Sequence, residues 1–273
     1  MPRKQSAAAT APAYDLSWRA QLVKIDQYTM TARVLPAAIV GSPIPLLIHN
    51  WLPFAFDGVA KLSATTAIAL AVCFVLSQVA RELGKREEKS LLAKWGALPS
   101  TSILRHRDST FDPLTKARYH KRLVELGAVE RMPTPEDEST DPEASDGIYS
   151  SAASWLRTKT RDTKKFPLIF SENMNYGFRR NLLGCKLLGV SLAMAVCVGD
   201  LIALYFGKSP GIAAMESFLV LAFLLFFVTS NSVTTVAWEY AKRLVEAIDQ
   251  IESRKANVPR SRNKKTVEVP DSA

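Results

Sequence analysis

The chain has 273 residues, a net charge of +9, 48% hydrophobic residues and a mean hydropathy of +0.03. That balance excludes an ordinary soluble domain, which is more polar, and a compact transporter, which is more apolar. It suits a chain divided between membrane spans and a sizeable water-facing part.

The positive charge fits nucleic acid or anionic lipid headgroups. The cations flank apolar runs, so lipid is favoured and nucleic acid is not. The cysteines Cys73, Cys185 and Cys197 lie in apolar stretches at spacings that match no zinc or redox motif. They read as buried reduced thiols. No metal site and no cofactor is expected.

Residues 1–13 read as a disordered tail: basic and Ala-rich, without the apolar core of a signal peptide. Residues 14–33 form an amphipathic helix, with Trp18, Leu22, Ile25, Thr29 and Ala32 at helical spacing. It lies in the headgroup plane or on the cytoplasmic domain. Arg33 marks its edge.

Residues 34–80 make a first transmembrane hairpin. Its first span, Val34 to Phe56, carries Pro36, Pro43, Pro45 and Pro53. Pro43 and Pro45 kink or break it near Gly41-Ser42, because proline removes a helix donor and crowds the preceding turn. The second span, Leu62 to Ala80, is rich in Ser, Thr and Ala, which lets backbones approach closely in lipid. It continues as a helix to Trp95, ended by Gly96 and Pro99.

Residues 81–180 contain nothing long and apolar enough to span and read as a cytoplasmic helical domain. Asp112 caps a helix with Pro113 at its first position, and Gly127 ends it. The acidic, Pro-rich stretch 132–147 has little apolar surface and reads as a surface loop or mobile linker. Ile148 to Arg161 is helical. Phe166 to Phe170 is an extended piece, and Ser171 caps the helix that enters the membrane.

Residues 181–238 make the second hairpin, with spans Leu182–Phe206 and about Gly211–Trp238 joined by a tight turn at Gly207–Gly211. The last helix continues over 239–253, because Ala241, Leu244, Val245, Ile248 and Ile251 keep one apolar stripe. Residues 254–273 are a basic disordered tail. The expected fold is thus all-α, four transmembrane helices in two hairpins with a helical cytoplasmic domain between them.

Lys61 and Lys208 alone occupy the two hairpin loops, while Arg33, Arg81, Lys85, Arg86, Arg179, Arg180, Lys186, Lys242 and Arg243 flank the other ends. By the positive-inside rule both termini and the central domain are cytoplasmic.

The candidate ligand-binding residues are Arg105, His106, Arg107, Arg118, His120 and Arg122, concentrated in the stretch 95–122. Arginine forks bind phosphate bidentately, so a phosphate-bearing ligand is one expectation. The competing reading is a solvated or headgroup-facing basic surface. His-Arg-Asp at 106–108 matches a kinase catalytic triplet, but no glycine-rich loop or Asp-Phe-Gly accompanies it. His106 or His120 as an acid–base group would make a membrane-bound enzyme, and no carboxylate stands at ligand spacing beside either. Within the spans, His49, Asn50, Asp200, Glu216 and Asn231 are the candidates for a polar lining.

WGALPSTSILRHRDSTFDPLTKARYHKRL and TRDTKKFPLIFSENMNYGFRRNLLG resemble sequences of a family of bacterial inner-membrane proteins with no established activity. The resemblance covers about half the chain and implies a bacterial inner-membrane setting. It carries over no functional residue. The functional expectation is a non-enzymatic membrane protein whose basic domain binds a phosphate-bearing ligand or a protein partner. The alternatives are an oligomeric channel and the His-dependent enzyme.

Overall fold

The computed structural model describes residues 26–51, 58–209 and 211–252, and no strand occurs among them. Most of the predicted amphipathic helix and both predicted tails lie outside the described residues. The chain divides into two compact units: residues 1–97 with 170–240, and residues 98–169 with 241–273.

The first unit begins with α1 (Gln27–Thr29), whose Asp26 cap accepts from the Tyr28 N–H at 3.3 Å. A π turn, Met30–Val34, leads directly into α2 (Leu35–Gly41), so Arg33 does not mark an edge. α3 (Pro43–Trp51) follows after Ser42. The break has a local cause. The Ile39 carbonyl would take its helical bond from residue 43, a proline without an N–H. The Ser42 hydroxyl donates to it instead, at 3.1 Å. The predicted first span is therefore two helices of 7 and 9 residues, each too short to cross a bilayer alone.

α4 (Gly58–Trp95) runs for 38 residues between Gly58 and Gly96, both in the left-handed region. α9 (Pro167–Gly184) and α10 (Lys186–Tyr205) follow the connecting segment, then α11 (Ile212–Phe226) and α12 (Ser230–Glu246), which closes in a 3-10 turn, Ala247–Gln250. Helix length and composition allow two membrane spans, one on the helix beginning at Gly58 and one at Lys186–Tyr205. A third arises if α11 and α12, bent by 63° at their junction, count as one. Large apolar side chains on these helices are exposed, among them Leu70 (67%), Leu187 (80%) and Phe226 (77%), as lipid-facing surfaces are. Four continuous spans, as the sequence suggested, are not seen among the described residues.

The bend in the last predicted span falls where polar residues replace phenylalanine. The Thr229 hydroxyl accepts from the Ser232 N–H at 3.2 Å and starts a new helix. Lys186 Nζ donates to the Val228 carbonyl at 2.8 Å and reaches that of Leu225 at 3.4 Å, so backbone at the end of α11 is satisfied.

The core of this unit gathers Val40, Ala80, Leu182, Cys185, Leu224 and Val228. Next to it, α4 and α9 meet backbone to backbone. A Cβ at Gly184 would fall on the main chain of Leu83 and Gly84, and one at Gly84 on Asn181. Asn181 Nδ2 donates to the Ala32 carbonyl in the π turn at 2.6 Å. Glu88 accepts from Tyr176 at 2.7 Å and Arg180 at 2.9 Å.

The second unit combines the end of α12 and its 3-10 turn with helices that open on proline: α5 (Pro99–Ser102), α6 (Pro113–Glu125), α7 (Pro135–Thr140), α8 (Pro142–Lys159) and the first turn of α9. A proline at the first helical position loses no bond, since that N–H has no intrahelical acceptor. The capped start at Asp112 is present, its side chain accepting from the Thr115 N–H at 2.9 Å. Gly127 adopts φ 70° after that helix.

Two expectations fail here. The stretch 132–147 is neither loop nor mobile linker: it holds α7, opened by a Thr134–Asp137 capping box, and the start of α8, capped by Asp141. Its acidic side chains accept backbone N–H groups at helix N-termini, so they promote order. Phe166–Phe170 is not extended, because Pro167 opens α9, and Ser171 therefore lies within that helix.

Candidate functional site

The residues that drew attention in the sequence sort into three places. Arg105, His106, Arg107 and His120 come together in the second unit. Arg118 and Arg122 lie on another face of α6. The candidates on the sequence-predicted spans belong to the first unit.

The loop after α5 carries Arg105 to Asp108 past the N-terminal ends of α7 and α8. There Arg105 forms a fork with Asp146, its Nε and Nη2 donating to the two carboxylate oxygens at 2.7 and 2.6 Å. This bidentate geometry satisfies both partners. Arg107 stands 3.6 Å from Glu138 and 4.0 Å from Asp146. Glu138 is the centre of the arrangement and is 5% exposed. It accepts from the His106 N–H at 2.7 Å, the Arg107 N–H at 3.4 Å and the Tyr149 hydroxyl at 2.9 Å. Burial pushes its carboxyl up. The hydrogen bonds from His106, Tyr149 and Arg107, with the Arg107 charge, outweigh burial and leave it below the ordinary value. Burial and the bond to Glu138 push the Tyr149 hydroxyl up.

Both histidines spend their Nε2 proton on main chain. His106 Nε2 donates to the Pro133 carbonyl at 2.9 Å, and His120 Nε2 to that of Leu104 at 2.8 Å. A carbonyl can only accept, which fixes the tautomer. Their rings meet edge to face at 4.9 Å. Burial lowers the His120 pKa to about 4, helped by the nearby His106 and Lys116, so the ring is neutral at pH 7. Lys116 is buried, and Nζ donates to the carbonyls of Arg105 at 2.7 Å, His106 at 3.4 Å and Asp108. Desolvation lowers its pKa. The lysine thus clamps the turn that presents the arginines.

Arg118 pairs with Asp249 at 3.1 Å, and Arg122 with Glu125 at 3.3 Å and the Ile251 carbonyl at 3.1 Å. These two arginines engage the segment after α12. Every candidate arginine therefore has an acceptor from the protein itself. Among the described residues, no three His, Cys, Asp or Glu side chains converge as metal ligands would.

Sequence reasoning missed Glu138, Asp146 and Tyr149 as parts of this cluster. A signal existed for two helix starts. Thr134-Pro135-x-Asp137 and Asp141-Pro142 repeat the cap-then-proline pattern that was recognised at Asp112-Pro113. No local signal pairs an acidic stretch with a basic one some 40 residues earlier.

In the first unit, Asp200 is fully buried and accepts from the Ser209 hydroxyl and, at 2.9 Å, from the Ala214 N–H. It fixes the turn between α10 and the first turn of α11. Glu216 differs: its Oε2 is buried without a hydrogen-bond partner, as is the hydroxyl of Ser217. Asn231 is exposed in the first turn of α12. His49 and Asn50 fall in α3, with side chains outside the described residues. No protein-family model, no curated protein and no solved structure matches the chain.

Proposed function

We propose that the chain is a multi-pass protein of a bacterial inner membrane, both termini cytoplasmic, with four membrane passes if the split α2–α3 segment and the bent α11–α12 pair each serve as one. Its second unit is a cytoplasmic, non-enzymatic lobe that binds a protein partner. The observation that carries this reading is the Arg105–Asp146 fork beside buried Glu138. It neutralises the basic loop from within, so Arg105 and Arg107 are occupied where a phosphate would need them open. The two histidines likewise use their Nε2 protons to hold the turn, which argues against an acid–base role. What stays available is surface, including Leu114, 84% exposed in the first turn of α6.

The test uses the full chain. A reporter active only outside the cytoplasm, fused after Lys208, should be active, and alkaline washing of membranes should leave the protein in the pellet. A photo-crosslinker at Leu114 should trap one discrete partner in cells, and trapping should fail in a chain carrying Arg118→Glu beside it. In detergent, inorganic pyrophosphate should leave the melting temperature unchanged. A pyrophosphate-dependent rise that Arg105→Gln removes would reinstate the phosphate ligand and overturn the protein-partner reading.

A second reading, an oligomeric channel or membrane-permeabilising protein, is favoured by one set of facts. The α2–α3 segment is broken, the α11–α12 pair is bent, and Glu216 keeps an unpartnered buried oxygen. Irregular helices and orphaned carboxylates line permeation paths in other membrane proteins. Overexpression with a voltage-sensitive dye decides: depolarisation that Glu216→Gln abolishes supports it, and a steady potential removes it.

A further inference from the structure

At the bend between α11 and α12 the first unit has a cavity of about 240 Å³. Phe178, Leu182, Phe223 and Phe227 wall it, and Arg179 and Ser232 stand at its edge. The wall is apolar and partly open, with Phe227 71% exposed. Arg179 is exposed and has no ion-pair partner among the described residues, unlike its neighbour Arg180, which is held by Glu88. Val228 also lines the groove, and its carbonyl takes the bond from Lys186 Nζ. One cation, Arg179, thus lines an aromatic slot, a second, Lys186, is bonded to one of its lining residues, and none of the seven lining residues is acidic.

Resting on the membrane reading above, we infer that this groove binds one anionic glycerophospholipid of the inner leaflet. An acyl chain lies between Phe178 and the stacked pair Phe223 and Phe227, and Arg179 grips the headgroup phosphate. Charge complementarity selects the occupant. A guanidinium offers a planar fork to a phosphate, and the Lys186 charge adds to the attraction for a net-negative lipid over a zwitterionic one. The 63° bend places Ser232 of α12 and Arg179 of α9 on the lining of one groove.

The experiment is native mass spectrometry of the full chain in detergent, titrated with palmitoyl-oleoyl phosphatidylglycerol or with phosphatidylcholine of the same chains. One phosphatidylglycerol should bind about tenfold more tightly than phosphatidylcholine, the scale of one good charge-assisted contact. Arg179→Gln should erase that preference. Arg179→Lys should retain part of it. Phe227→Ser, at an exposed position, should weaken both lipids alike. Inorganic phosphate should not displace the lipid. The inference is overturned if both lipids bind equally, if Arg179→Gln matches the parent, or if inorganic phosphate competes. An alkaline wash separates the two levels of failure. Protein retained in membranes with no lipid preference overturns this site alone. Protein released by the wash overturns the site and the membrane reading together.

Discussion

Gly84 and Glu138 hold together their respective units by opposite means. Where α4 meets α9, Gly84 and Gly184 let two backbones touch, with side-chain bonds flanking the contact, Asn181 to the π turn and Glu88 to Tyr176 and Arg180. In the second unit, side chains carry the fold. Glu138 collects two N–H groups and a hydroxyl, Lys116 collects three carbonyls, and Arg105 locks Asp146. Small residues let helix backbones approach closely, and the contact gains from tight packing with no side chain between the two main chains. The second unit also buries Ile103, Leu104, Leu123, Leu156, Leu244 and Ile248, and beside that apolar core its polar groups are costly if left open.

That contrast can be broken by mutation, with hydrogen-exchange protection of peptides from each unit as the readout. The largest effect is expected at Gly184→Leu. The added atoms meet backbone, which cannot move aside, so protection around α4 and α9 should be lost, a cost above about 3 kcal/mol, while peptides of α7 and α8 keep theirs. A Gly184→Leu chain with parental protection would show that the close approach is unimportant.

Glu138→Ala is next, at about 3 kcal/mol confined to the second unit, because it leaves the His106 and Arg107 N–H groups and the Tyr149 hydroxyl without their acceptor. Acid should act on the same unit. The folded state holds the His120 pKa near 4 against an ordinary value of 6.5, so between these values the unfolded chain binds the extra proton. Stability therefore falls as pH drops through that window, by about 3 kcal/mol in total. Glu138 works in the same direction. Its lowered pKa stabilises the fold above the ordinary carboxylate range, and that contribution disappears as pH falls through the folded value. His120→Gln should flatten the slope between pH 6.5 and 4, and an unchanged slope would place the titrating group elsewhere.

Tyr149→Phe should cost about 1 to 2 kcal/mol, since it removes one of three donors to Glu138 and leaves the ring packed. The smallest effect has the opposite sign. A Cβ at Gly147, inside α8, meets nothing within 4 Å. Gly147→Ala should stabilise the second unit by about 0.5 to 1 kcal/mol through helix propensity alone. Equal outcomes at Gly147 and Gly184 would erase the distinction between the units.

Much of the helical pattern was legible in residue types. Gly96, Gly127, Asp112-Pro113 and the apolar runs at 62–80 and 182–206 mark helix ends and bilayer-length helices because caps, left-handed glycines and hydrophobic length act locally. The acidic stretch was misread for a different reason. Its composition, taken alone, lacks the apolar surface to fold, and the compensating charges of Arg105 and Arg107 lie far away in sequence. The candidate site was legible only as a list of cations. Arg105 and Arg122 look equivalent in the chain, yet one meets Asp146 and the other Glu125 and Ile251.

The sequence by itself determined that the chain is helical, that it carries bilayer-length apolar segments, and where proline and glycine interrupt it, since these follow from the chemistry of single residues and their spacing. Only the tertiary structure decided which charges neutralise one another and which stay available, and which glycines are touched by another backbone. It also decided that α11 turns by 63° into α12 rather than continuing. Those outcomes depend on partners far along the chain, such as Lys186 for the Val228 carbonyl or Asn181 for Ala32, and no local pattern encodes the distance between them.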